Sequence, residues 1–255
     1  MIFDVSDNAY DRFMGRYSVR LAPLFADFAR VEPGMRVLDV GAGTGALAAE
    51  LVRRVGEDNV AAGEPSSKFV QALRARMPGV DVKEAPAEEL PWPDESFDVA
   101  LAQLVVSFAS DAPRAAREMG RVVRGGGVVA LCTWDRDGME MLAALRRVRL
   151  TFERDAPDTE AAMLYRTEAG IRDLLTDAGF HGVETTLLEV DRDYSGFDEL
   201  WDSVLGGVGP AGIWVLSLDD EHRAAAREEL HRQVGSPSGA FTLRGSAWAA
   251  RATRA

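Results

Sequence analysis

Three glycines in five residues, Gly41-Ala42-Gly43-Thr44-Gly45, follow an apolar run at 35–40 and open a helical pattern at 45–55. Without Cβ atoms the chain can turn sharply there and bring its backbone close to a ligand. The helix behind the loop presents free N–H groups to negative or polar atoms. A buried strand that enters a helix through so tight a turn is the first half of a βαβ unit, and such units build parallel sheets.

The rest of the chain keeps that alternation. A second strand is expected at 59–64, followed by a helix that Ser66 can cap, with Phe69, Leu73 and Met77 on one face and Pro78-Gly79 at its end. Short strands come next at 80–84 and 97–103. Asp111 reads as the N-cap of a helix that places Ala115, Met119, Val122 and Val123 on one face. Gly125-Gly126-Gly127 should stop that helix before a fifth strand at 128–134. Helices at 139–154 and 167–178, with Gly179 closing the latter, lead to strands at 180–190 and 241–251. Between those strands, 196–234 reads as two helices separated by Gly206-Gly207-Val208-Gly209-Pro210. The second carries Asp219, Asp220 and Glu221 at its start and Arg227 and Arg232 toward its end, which suits the helix dipole, with Glu228 and Arg232 spaced as an i,i+4 pair. The expected fold class is α/β: a Rossmann-like, doubly wound, mostly parallel sheet with helices on both faces and a small helical cap. One domain is expected over 1–255, with its core at about 30–135, 167–190 and 238–255 and cap elements at about 1–29, 136–166 and 191–237.

Composition narrows the function. Hydrophobic residues make up 47% of the 255, enough for a core without disulfides or metal. The formal charge of −12, from 29 basic and 41 acidic residues, repels phosphate backbones and argues against nucleic acid as partner. No apolar run approaches a membrane span, and residues 1–10 lack the basic-then-apolar pattern of a secretory signal, so no membrane partner and a cytoplasmic location are expected. The single cysteine, Cys132, sits in an apolar run and reads as a buried strand residue. His181, His222 and His231 have no metal-ligand spacing, so no metal site is expected.

Glu64 ends the second strand, where a carboxylate can accept hydrogen bonds from both hydroxyls of an adenosine ribose. The loop and this acid do not choose between cofactors. Gly41, Gly43 and Ala46 also satisfy the looser dinucleotide pattern, although Glu64 would repel the 2′-phosphate of NADP.

The order of motifs goes further. Val37-Leu38-Asp39-Val40-Gly41-Ala42-Gly43-Thr44-Gly45 resembles the first motif of class I S-adenosylmethionine (SAM)-dependent methyltransferases. Gly63-Glu64-Pro65-Ser66 is similar to the end of their second strand. Residues 87–98, Ala-Glu-Glu-Leu-Pro-Trp-Pro-Asp-Glu-Ser-Phe-Asp, are similar to the stretch before their fourth strand, and 121–127 fits the approach to strand five. Residues 10–18 and 241–251 resemble a bacterial subgroup related to the ubiquinone-type enzymes.

That resemblance implies SAM as cofactor. Gly41, Ala42 and Gly43 would pack against its methionine part, Asp39 would support the loop, and Glu64 would bind the ribose diol with Pro65 beside the adenine. Ala87 and Glu88 would frame the adenine edge, Gln103 would face the methionine or sulfonium, and Tyr10 and Arg16 would close over the cofactor, Arg16 against its carboxylate. Two positions depart from the family: Pro86 where an acid often stands, and Ser107 where many relatives have histidine. With no residue standing out as a base, transfer to a small-molecule acceptor is expected to rely on proximity and orientation. Phe13, Tyr17, Ser107, Phe108, Trp134, Tyr165, Trp201 and Trp214 are the candidate acceptor pocket. Two rival readings are an NAD-dependent oxidoreductase and a non-catalytic, regulatory SAM-binding protein.

Overall fold

The computed structural model describes residues 11–154 and 164–255, the side chains of 11 and 12 excepted. The chain divides into two compact units. The larger comprises Ser18–Asp135, Met163–Leu188 and Ala247–Ala255; the smaller comprises Met1–Tyr17, Arg136–Ala162 and Glu189–Ser246.

A π-helical turn, Asp11–Gly15, leads into α1 (Arg16–Phe28). The alternating elements come next: β1 (Val37–Val40), α2 (Ala46–Val55), β2 (Val60–Glu64), α3 (Ser67–Arg76), β3 (Asp81–Glu84), β4 (Phe97–Gln103), α4 (Ala112–Val122) and β5 (Val123–Met139). After them come α5 (Glu140–Phe152), α6 (Glu168–Asp177), β6 (Glu184–Tyr194), α7 (Phe197–Val204), α8 (Gly209–Ser217), α9 (Asp220–Gln233) and β7 (Phe241–Thr253). The strands form one seven-stranded sheet in the order β3-β2-β1-β4-β5-β7-β6. The pairs β1/β2, β1/β4, β2/β3 and β4/β5 are parallel. Chain order reverses between β1 and β4, so the carboxyl ends of these strands flank the switch point where ligands of open α/β sheets bind.

β1 and β2 are buried along their whole length, as expected of strands covered on both faces. The core of the larger unit joins Leu38, Ala100 and Leu131 of the sheet to Ala116 and Met119 of α4 and to Ile171 and Leu174 of α6. The expected N-cap Asp111 holds its helix by accepting a hydrogen bond from the N–H of Arg114, and the structure adds Thr167 as the cap of α6, accepting from the N–H of Gly170.

The structure corrects four details. Ser66 stands at the N-cap of α3 but its side chain makes no capping bond; its N–H donates to Glu64 instead. The glycine triplet lies inside β5, not before it, because the strand starts at Val123. Gly126 adopts φ +76°, and the register with β4 shifts between the pairs Phe97/Val123 and Val99/Val128, so the triplet forms a bulge. A Cβ on Gly127 would lie 2.5 Å from the carbonyl oxygen of Asp98, which shows how closely the strands approach there. Residues 196–234 hold three helices, since Leu218 is extended and Asp219 caps a new helix by accepting from the N–H of His222. Finally, Arg232 pairs with Glu229 and not with Glu228.

Candidate cofactor site at the glycine loop

The glycine loop is fixed by its own backbone. The N–H groups of Gly41 and Ala42 both donate to the Gly63 carbonyl, at 2.8 and 3.1 Å, and Gly45 N–H donates to Ala42. All three glycines have positive φ, at +72°, +55° and +90°, but for different reasons. A Cβ on Gly41 would sit 2.6 Å from a methyl of Val105, and one on Gly45 would strike Leu73 of α3 and Met77 just past its end. A Cβ on Gly43 would meet nothing nearer than the Gly41 carbonyl oxygen at 4.0 Å, so the space beside Gly43 is open.

Glu64, buried at the end of β2, clasps this loop. One carboxylate oxygen accepts from Gly43 N–H and the other from Ser66 N–H, each at 2.9 Å. Burial raises its carboxyl above the usual range, against the pull of the hydrogen bonds from Ser66 and Gly43. Each oxygen keeps a second lone pair for a further donor.

Asp39 lies on β1 and is 1% exposed. Burial pushes its carboxyl up to about 8, opposed by a hydrogen bond from the Ala48 backbone and reinforced by the charge of Glu64. Its Oδ2 has no hydrogen-bond partner, and neither has Oε1 of Gln103. Asp39 pairs in register with Leu101, so Gln103, two residues along β4, points to the same face of the sheet. Gln103 is anchored by its Nε2, which donates to the Ser18 carbonyl at 3.1 Å. The next residue, Leu104, is held at φ +64° by its N–H bond to the Cys132 carbonyl, a strained conformation of the kind that collects at functional sites. No sequence signal marked it.

The other expected cofactor residues of this unit are Pro65, Ala87 and Glu88. Pro65 is exposed and Ala87 is half-buried against the core. Glu88 fastens the loop before α4, its Oε1 accepting from the N–H and hydroxyl of Ser110, both at 2.8 Å, and from the N–H of Asp111. Burial raises the Glu88 carboxyl, but these bonds outweigh it and hold the group below its usual range.

Four of the expected pocket residues also belong to the larger unit. Ser107 Oγ lies 2.9 Å from Thr133 Oγ1 and donates to the Leu164 carbonyl at 3.1 Å. Phe108 is 45% exposed, Trp134 is buried, and Tyr165 stands at φ +69° against the core. The Trp134 carbonyl accepts from the buried Arg166.

The remaining expected residues fall in the smaller unit, except that Tyr10 lies outside the described residues. Arg16 is paired with Glu199. Phe13, Tyr17, Trp201 and Trp214 are all buried. Trp214 Nε1 donates to Glu153 at 2.7 Å. The Tyr17 hydroxyl is 3.4 Å from that of Tyr194. Sequence reading missed the residue that organises this cluster. Arg192, 2% exposed, stacks 4.1 Å from the Tyr194 ring and donates to the Phe13 carbonyl, while its Nε has no partner. A separation of 179 positions between Arg192 and Phe13 leaves no local pattern to find it by.

Among the described residues, no group of three or more His, Cys, Asp or Glu could hold a metal ion, and no helix is long and apolar enough to cross a membrane.

Known proteins resemble this chain in sequence and fold. A family profile described as "Methyltransferase domain" matches residues 38–131. The chain is 30% identical over 176 residues to a ubiquinone/menaquinone biosynthesis C-methyltransferase of Xanthomonas axonopodis pv. citri, covering 61% of this chain and 70% of that one. The chain belongs to the class I SAM-dependent methyltransferases. An uncharacterized protein of Mycobacterium tuberculosis is 33% identical to this methyltransferase-family chain over 222 residues, 84% of this chain and 78% of the relative. The crystal structure of the YcgJ protein from Bacillus subtilis shares the fold, with a TM-score of 0.59 at 17% identity, over 94% of this chain and 98% of that one. The fold shared with that structure therefore extends beyond residues 38–131.

Proposed function

We propose that this chain binds SAM at the carboxyl ends of β1, β2 and β4 and transfers its methyl group to a small-molecule acceptor. The observation that carries the reading is the pair of unpartnered, buried acceptors, Asp39 Oδ2 and Gln103 Oε1, on one face of adjacent strands beside the glycine loop. Two orphaned acceptors in a dry position call for a donor with several N–H bonds and positive charge. The amino group of SAM has that chemistry. Glu64 suits the ribose diol, since each of its oxygens can take one hydroxyl while keeping its bond to the loop. The open space beside Gly43 lets backbone meet the methionine chain. Pro65 and Ala87 would flank the adenine. Glu88, committed to Ser110 and Asp111, would act by fixing the loop near that ring.

SAM supplies an electrophilic methyl group on a cationic sulfur. The protein's share is to hold the acceptor in line with that group and to exclude water. Ser107 and Thr133, a hydroxyl pair, are placed to orient a polar acceptor, and Phe108 offers it apolar surface. Transfer by proximity and orientation fits these groups, since neither hydroxyl is a strong base. The larger unit is read as the cofactor-binding core of a methyltransferase domain.

The test is calorimetric titration with SAM, S-adenosylhomocysteine and NADH, repeated with SAM on Glu64→Ala. Micromolar binding of both adenosyl ligands, weakened at least tenfold in the variant, is the expected result, followed by methyl transfer from labelled SAM in an acceptor screen. Binding of NADH without binding of SAM would overturn the reading.

A further inference from the structure

The surroundings of Asp39 are unusual for a carboxylate. From α2 it receives one hydrogen bond, from the backbone of Ala48. From β2 it faces the carboxylate of Glu64, and from β5 the thiol of Cys132, which feels its charge and is itself pushed well up by burial. From β4 comes the amide of Gln103, whose buried oxygen is another acceptor without a partner. No cation acts on Asp39 among the described residues. Ionised, it would be a negative charge out of water, held by one N–H and set near a second carboxylate. Desolvation of such a charge costs several kcal/mol, more than one backbone hydrogen bond returns. The neutral acid avoids that cost.

We propose that Asp39 is held as the neutral acid in the free protein and gives up its proton when the cationic amino group of SAM settles beside it, so that cofactor binding is proton-coupled. This rests on the SAM-binding reading above. The O–H bond of Asp39 breaks and its proton passes to the buffer. The ammonium group keeps its own protons and donates to Asp39 Oδ2 and Gln103 Oε1. Charge is conserved, and the buried carboxylate gains the counter-ion it lacked. Affinity for SAM then climbs about tenfold per pH unit between roughly pH 5.5 and 7, where one proton is released per cofactor bound. Above that range the climb flattens as the amino group, with an ordinary value near 7.7–8.0, begins to lose its own charge.

The experiment is calorimetry at pH 6.5 in buffers of different ionisation enthalpy, on the whole chain. SAM should release about one proton. 5′-Methylthioadenosine, which has the nucleoside and thioether but lacks the methionine chain with its cationic α-amino group, should release none, and SAM on Asp39→Asn should also release none. SAM binding without proton release, or with release unchanged in Asp39→Asn, would overturn the proposal and leave the cofactor reading standing. Failure of SAM to bind wild-type protein would remove both. Carboxyl carbon NMR of the unliganded wild-type protein gives a check that needs no variant. Asp39 should titrate several pH units above the other aspartates, and titration among them would refute the proposal.

Discussion

Gly41 and Gly43 are two residues apart in one loop and both have positive φ, yet alanine should affect them differently. At Gly43 the methyl group enters open space, so the cost is that of an L-residue in the left-handed region, about 1 kcal/mol. At Gly41 the same cost is joined by a collision with Val105, whose two methyls lie 2.6 and 2.7 Å from the new carbon. Val105 is β-branched and packs against the core, so it has little room to yield. Overpacking of this kind adds roughly 1–3 kcal/mol. The total is about 2–4 kcal/mol for Gly41→Ala against about 1 for Gly43→Ala. For a chain of this size, that is a loss of melting temperature of roughly 5–15 °C against roughly 2–4 °C. Thermal melts followed by circular dichroism measure both. Adding Val105→Ala to Gly41→Ala should return part of the difference, since it removes both colliding methyls. Cofactor binding should run in the opposite order relative to stability. Gly43→Ala fills the space read as the seat of the methionine chain and should weaken SAM at least tenfold while the fold survives. Equal melting temperatures for the two single variants would refute the packing argument, and undiminished SAM binding by Gly43→Ala would refute the assignment of that space.

The same geometry supports other expectations. Because folding raises the Asp39 carboxyl from 3.8 to about 8, the folded state holds a proton that the unfolded chain releases, so its ionisation progressively destabilises the fold as pH climbs through that window at about 1.4 kcal/mol per pH unit. Asp39→Asn removes this slope: between pH 5 and 7 wild type should lose roughly 5–10 °C of melting temperature relative to the variant, and parallel profiles would count against it. Arg121 places its donors on Glu118, Asp94 and the carbonyls of Leu90 and Trp92. Arg121→Lys cannot reproduce that fork and should cost about 2 kcal/mol in denaturant unfolding. Glu88→Ala should loosen the loop before α4 and speed amide exchange at Ser110 and Asp111, whereas Glu88→Gln, which keeps the accepting oxygen, should leave exchange nearly unchanged.

Sequence disclosed most where a residue's role is local. Asp111 is a cap by virtue of the N–H group three positions ahead of it in the chain, and the loop glycines announce a tight turn between strand and helix. The expected bounds of β4, 97–103, match the structure at both ends. The failures have physical causes too. Glycines usually end elements, but in β5 they permit a bulge pressed against the Asp98 carbonyl, a contact made by a different strand. In 209–217 the apolar pattern continues toward the acids beyond it, so the break at Leu218 was hidden until Asp219 could be seen capping a helix of its own. At the candidate site, the place of Glu64 at the end of its strand was legible but its grip on Gly43 and Ser66 was not. The left-handed Leu104 and the buried Arg192 depend wholly on distant neighbours.

Cys132 sits mid-strand in β5, paired in register with Gln103, and it is the chain's one thiol. Fully buried, and kept from ionising by that burial, it can react with a thiol reagent only when the strand is exposed by a fluctuation. The labelling rate of the unmodified protein is thus a clock for opening of the sheet beside Gln103. Any compound that binds the closed form slows that clock by a factor set by its concentration over its dissociation constant. A library can therefore be ranked for binding by the time each compound takes to let Cys132 react, before any product has been identified.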